Sequence, residues 1–183
     1  MRRPDRLRVE TVDGALVAVV RDPRTATPPA PVLCADGLVA ERPQVSGVET
    51  FDSPFHENYF WTAMLDPVEL ADGNGSPGVP GVTVDAVTEV DHGGRPAWEA
   101  VVRTAPAYSP RCACCALLWS RESDLLEYGS PHRDAYPEAY RVRLDVGTGV
   151  CVLTEELDGS PRGLGHDLRI EAADEPLPDE LFG

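Results

Sequence analysis

Short β-prone runs, each closed by a turn signal rich in Asp and Gly, recur along this chain and constrain its fold more than any other feature. RLRVE is followed by Val12-Asp13-Gly14 and then by ALVAVVRD, which reads as a hairpin. After the proline-rich link TATPPAPV, the run VLCADGLVAERP repeats the pattern around Asp36-Gly37. VTVDAVTEV and PAWEAVVRTA flank Asp91-His92-Gly93-Gly94-Arg95, while YRVRLD and GVCVLTEEL flank Val146-Gly147-Thr148-Gly149. CACCALLW, apolar throughout, reads as a core strand, and DLRIEAA supplies the last strand before the acidic tail DEPLPDELF. Turns this short leave no room for crossover helices, so the pattern predicts an α+β chain on one antiparallel sheet of about eight or nine strands.

One segment changes period. In SPFHENYFWTAMLDPVELADG, Ser53 can cap, Pro54 suits a first helical position and Glu57 falls in the first turn. Phe60, Trp61, Met64 and Leu65 then recur at helical spacing, predicting a helix over 55–65. Pro67 should kink or restart it, making Val68 to Ala71 one further turn. DGNGSPGVPG reads as a loop, and SRESDLLEYGSPHRDAYPEA as a connection with a helical turn at Ser123 to Glu127.

The 183 residues suffice for one domain with a real core, so a single domain over 1–183 is expected. Its 31 acidic residues against 16 basic ones give a formal charge of -15, which repels phosphate backbones and argues against nucleic acid as a partner. Every basic residue is Arg, which reads as the codon bias of a GC-rich genome. The absence of Lys removes Schiff-base chemistry, a phosphate-loop lysine and a Ser-Lys dyad. No apolar run follows the basic start MRRPDRLRVETVDG as in a signal peptide, and no stretch approaches the roughly 18 to 20 apolar residues of a membrane span. The expectation is a cytoplasmic protein without a transmembrane segment, whose five cysteines are thiols, ligands or catalytic groups before they are disulfides.

The order of RPDRLRVE, LVAVVRD, GRPAWEAVV, YRVRLDVGTGVCVLTEELDG and LPDELF resembles that of the signatures in the LolA-like superfamily, from about Arg3 to Phe182. That superfamily includes lipoprotein carriers, periplasmic anti-sigma-factor regulators and mycobacterial lipid-binding lipoproteins. The resemblance implies an open half-barrel: one strongly curved antiparallel sheet with a helix, here Phe55 to Leu65, packed in its concave face over an apolar cavity. It further implies a binding module for an apolar small molecule, lipid or peptide, or a regulator of a protein partner. The same fold also hosts a cofactor-free enzyme of secondary metabolism, which leaves a catalytic alternative. The family's export signal and its helix before the first strand are both missing.

Under the binding reading, Tyr59, Phe60, Trp61, Met64, Trp98 and Trp119 line the pocket, although large aromatics equally build the core between helix and sheet. Under the catalytic reading, His56, Glu57 and Tyr59 are the proton-transfer groups. His92, His132 and His166 sit among polar, turn-forming residues and read as surface groups. No triad, phosphate loop or cofactor fingerprint is present, so no cofactor is expected.

The remaining candidate is SPRCACCALLW. As a strand it puts Cys112 and Cys114 on one face and Cys115 on the other, among apolar neighbours that favour buried thiols. C-x-C-C lacks the separated pairs of common zinc sites. A metal site centred on Cys112–Cys115 and completed by Cys34, Cys151 or His132 stands as an alternative, as does thiol chemistry. The acidic pairs Glu155-Glu156 and Asp174-Glu175 lack a calcium-loop pattern and read as solvated charge.

Overall fold

The computed structural model describes residues 5–21, 30, 32–35, 39–41, 54–71, 79–110, 112–158 and 165–183. The chain divides into two compact units, residues 1–56 with 177–183, and residues 57–176. Ser53, Asp36 and Gly37, invoked above for a cap and a turn, lie outside the described residues.

In the first unit, β1 (Arg6–Glu10) and β2 (Leu16–Arg21) form the hairpin expected from Asp13-Gly14, with Leu7 opposite Val20. Thr11 steadies its turn, since the Ala15 amide donates to Thr11 Oγ1 at 2.9 Å. The C-terminal 3-10 turn Asp179–Phe182 lies along this hairpin. Arg8 donates to the Leu181 carbonyl at 2.8 Å, Arg21 donates to that of Phe182, and Phe182 and Leu7 are buried. A second, smaller hairpin joins β3 (Val32–Leu33) to β4 (Val39–Glu41).

The second unit holds the main sheet. Its strands are β5 (Val82–Val84), β6 (Thr88–His92), β7 (Arg95–Thr104), β8 (Tyr140–Asp145), β9 (Cys151–Glu156) and β10 (Gly165–Asp167). The order is β10-β9-β8-β7-β5, every pair antiparallel, and β6 pairs the stretch of β7 that β5 leaves open. Gly93 and Gly94, at φ +62° and +84°, make the two-residue turn between β6 and β7, a backbone that twists with the strands and that only glycine adopts without strain. Asp145 locks the opposite turn. It accepts from Arg95 at 2.7 and 3.0 Å and from the Thr148 amide and hydroxyl, each at 2.8 Å.

The antiparallel expectation holds, but the sheet is neither closed nor strongly curled. With β5 and β6 sharing one edge it is five strands wide, whereas wrapping a filled interior takes about eight. β1 to β4, which would have extended it, pair in hairpins of their own, so the single sheet of eight or nine strands is not what forms.

Helix α1 spans only Phe60–Leu65, not 55–65. Glu57 sits at φ +63°, which a right-handed helix cannot contain, and Asn58 Oδ1 instead accepts from the Phe60 amide at 3.1 Å. Ala63 and Met64 join Val102, Tyr108, Leu117, Leu118, Tyr140, Val142 and Cys151 in one packed cluster, with Trp61 against it. The helix is therefore a core element. A 3-10 turn at Val68–Leu70 follows, as Pro67 led one to expect.

Helix α2 (Arg121–Tyr128) extends the helical turn foreseen at Ser123. Ser120 and Ser123 cap its N-terminus reciprocally, each hydroxyl accepting from the other's amide at 3.0 Å. Of DLRIEAA only Asp167 lies in a strand. Pairing with β9 covers Gly165–Asp167, and Leu168 adds one last bond to the Val152 carbonyl at 2.7 Å.

Candidate functional site

CACC is not a strand. Ala113–Cys115 form a 3-10 turn with Cys112 as its N-cap, closed by the Cys115 amide donating to the Cys112 carbonyl at 3.1 Å. In such a turn residues i and i+3 eclipse, so side chains that a strand would send to opposite faces converge. The Sγ atoms of Cys112, Cys114 and Cys115 all lie within 4.8 Å of one another, at 3.1 Å for the first pair and 3.6 Å for the second.

The turn is pinned from inside the core. Glu69, 1% exposed, accepts from the Leu117 amide at 2.7 Å and from the Tyr108 hydroxyl at 2.6 Å. Tyr108 in turn accepts from the Leu118 amide at 3.2 Å. Leu117 and Leu118 belong to the core, as their apolar character implies, but a carboxylate and a phenol hold their backbone in place of a neighbouring strand.

None of the three thiols is poised as a nucleophile. Burial raises Cys112 above its usual range. The bond from Cys112 lowers Cys114, but burial, Cys115 and the Glu127 carboxylate together outweigh it. Burial raises Cys115 as well. At neutral pH the three are protonated thiols, slow as nucleophiles until a cation displaces their protons. Four tetrahedral thiolates around zinc stand about 3.8 Å apart at a Zn–S distance of about 2.3 Å, and the separations in this cluster, from 3.1 Å to at most 4.8 Å, bracket that spacing.

Among the described residues no His, Asp, Glu or further Cys completes the group. Cys151 is buried in the sheet, its thiol bonded to the Leu153 carbonyl and pushed far up by burial. His132 is exposed, its ring against Tyr128 at 4.1 Å and its Nδ1 at 3.1 Å from the Ser130 carbonyl. Cys34 is an exposed thiol after β3 in the first unit.

The catalytic candidates do not share a helical turn, since His56, Glu57 and Tyr59 all precede α1. Of the pocket candidates, Met64 belongs to the core with Trp61 packed against it, and Trp98 is 44% exposed on β7. Phe60 and Trp119 both line a half-open cavity of about 280 Å³ that Leu117, Arg133, Tyr140, Thr154, Glu156 and Gly165 complete. Sequence reasoning missed its polar members. Glu156, read as solvated, is 3% exposed and takes Arg133 at 2.7 Å, because β9 turns it inward while Glu155 faces out to Arg141. His166 and His92 are likewise no surface groups. His166 bonds the Thr154 hydroxyl at 3.0 Å and the Cys151 carbonyl at 2.8 Å, and burial lowers its pKa. His92 is held at 3.0 Å from the Leu168 carbonyl and 3.1 Å from Arg143.

The chain matches no protein-family model, no curated protein and no solved structure. Its resemblance to the LolA-like superfamily is carried by the quoted motifs alone. Among the described residues no helix is long and apolar enough to cross a membrane.

Proposed function

We propose that this protein binds a thiophilic cation, Zn²⁺ or Cu⁺, through Cys112, Cys114 and Cys115. The observation that carries the reading is the convergence of three Sγ atoms within 4.8 Å on a turn anchored to the core. Thiolates are soft ligands that favour these closed-shell ions over hard cations such as Mg²⁺. Three protein sulfurs leave a coordination position for water or an incoming ligand, as in open zinc sites and not in closed structural ones.

The test is to add Zn²⁺, and separately Cu⁺ under anaerobic reducing conditions, to the reduced protein and count the retained metal after desalting. About one ion per chain is expected for the wild type and for Cys34→Ser, with loss of binding in Cys114→Ser. Retention should weaken as pH falls, because protons compete for the sulfurs. Stoichiometric retention of neither metal, or equal retention by Cys114→Ser, refutes the assignment.

A further inference from the structure

The cavity beside the sheet is bordered by a buried carboxylate with one unsatisfied oxygen. Glu156 lines it and directs Oε1 to Arg133 Nη1 at 2.7 Å, while Oε2 has no hydrogen-bond partner among the described residues. An unmet carboxylate oxygen at this depth is unfavourable unless something donates to it. The walls around it are fixed. Arg133 lies over the Trp119 ring at 5.0 Å, and the Tyr140 hydroxyl donates to the Trp119 carbonyl. Gly165 closes the cavity against β9 so tightly that a Cβ there would stand 1.8 Å from the Thr154 carbonyl oxygen.

We propose that this cavity binds a small, neutral, planar aromatic molecule whose N–H or O–H group donates to Glu156 Oε2, which is closed to solvent here and which a rotation of the carboxylate brings to the cavity. Size follows from volume. About 280 Å³ lies just under the usual range of ligand pockets and suits one or two fused rings. Aromatic character follows from Phe60 and Trp119, with Leu117 completing an apolar wall. Neutrality follows from the ion pair: a cation meets Arg133 and an anion meets Glu156, while a neutral donor satisfies Oε2 without disturbing either. The site is separate from the thiol cluster and stands whether or not metal binds there.

The experiment compares three probes on the whole chain by heteronuclear NMR: indole, 1-methylindole and tryptamine. Indole should bind, shifting the Trp119 side-chain N–H and the Gly165 amide and leaving the exposed Trp98 unmoved. 1-Methylindole, which keeps the rings and lacks the donor, should bind at least about tenfold more weakly, the usual consequence of leaving a buried acceptor unmet. Cationic tryptamine should bind more weakly than indole. Glu156→Gln turns the acceptor at this position into a donor, so the preference for indole over 1-methylindole should fall to near unity. That ratio is insensitive to a general loss of stability, and the wild-type ratio decides the matter should the variant not fold. Equal binding of the two indoles, a preference for tryptamine, shifts located elsewhere, or no binding up to the solubility limit of indole each overturns the proposal.

Discussion

Single side chains in this protein do work that their sequence neighbours conceal. Asp145 follows YRVRL as an ordinary turn residue, yet it is 2% exposed and takes four hydrogen bonds from Arg95 and Thr148. The Arg95 bond, set against some burial and helped by Thr148, lowers its pKa to about 2. A carboxylate held below its unfolded value contributes stability in full above pH about 4 and loses it as pH falls through the folded value. Urea unfolding of wild type and Asp145→Asn should therefore differ most near neutrality, with the gap closing as pH drops from about 4 toward about 2. A gap independent of pH would assign Asp145 a packing role alone.

Among elements, the turn carrying the thiols shows how far local pattern can mislead. Apolar content points to a strand at CACCALLW, and Glu69, far from it in sequence, together with the nearby Tyr108, holds it otherwise. By capturing the Leu117 and Leu118 amides they occupy the groups that a strand would offer its neighbour. Tyr108→Phe removes a donor to Glu69 and an acceptor for Leu118, and should cost about 1–3 kcal/mol in urea unfolding. It should also weaken retention of Zn²⁺, since the turn loses one of its anchors. Unchanged stability would show that the phenol is dispensable to the turn. The hairpins, by contrast, were legible from sequence because Asp13-Gly14, Gly93-Gly94 and Thr148-Gly149 specify their backbone within a few residues. Helix α2 was legible only as a turn at Ser123 to Glu127, and the reciprocal Ser120–Ser123 cap that starts it is seen in the structure alone.

On the scale of the whole molecule, stability in the larger unit should follow position in the sheet. β7 is paired along both edges, by β8 on one and by β5 and β6 on the other, and β8 lies between β7 and β9. β10 is three residues long and pairs only with β9. Native-state hydrogen exchange should find the β7 and β8 amides opening only with global unfolding, and those of β10 at much lower free energy. Uniform protection across the sheet would contradict this ordering. The charge of -15 is also a property of the whole molecule, and it favours cations near the surface without specifying where one binds.

The sequence by itself determined the antiparallel hairpins, the helical turns and the acidic surface, because turn backbone, capping and net charge depend on residues close together in the chain. Tertiary structure decided that the sheet stays open, and it decided the convergence of Cys112, Cys114 and Cys115 and the burial of Glu156 against Arg133. Each of these depends on which distant group occupies a neighbouring hydrogen bond or charge. A period of two along a strand says that side chains alternate, but it does not say which face meets Arg133, nor that a carboxylate at position 69 will take the amide of Leu117.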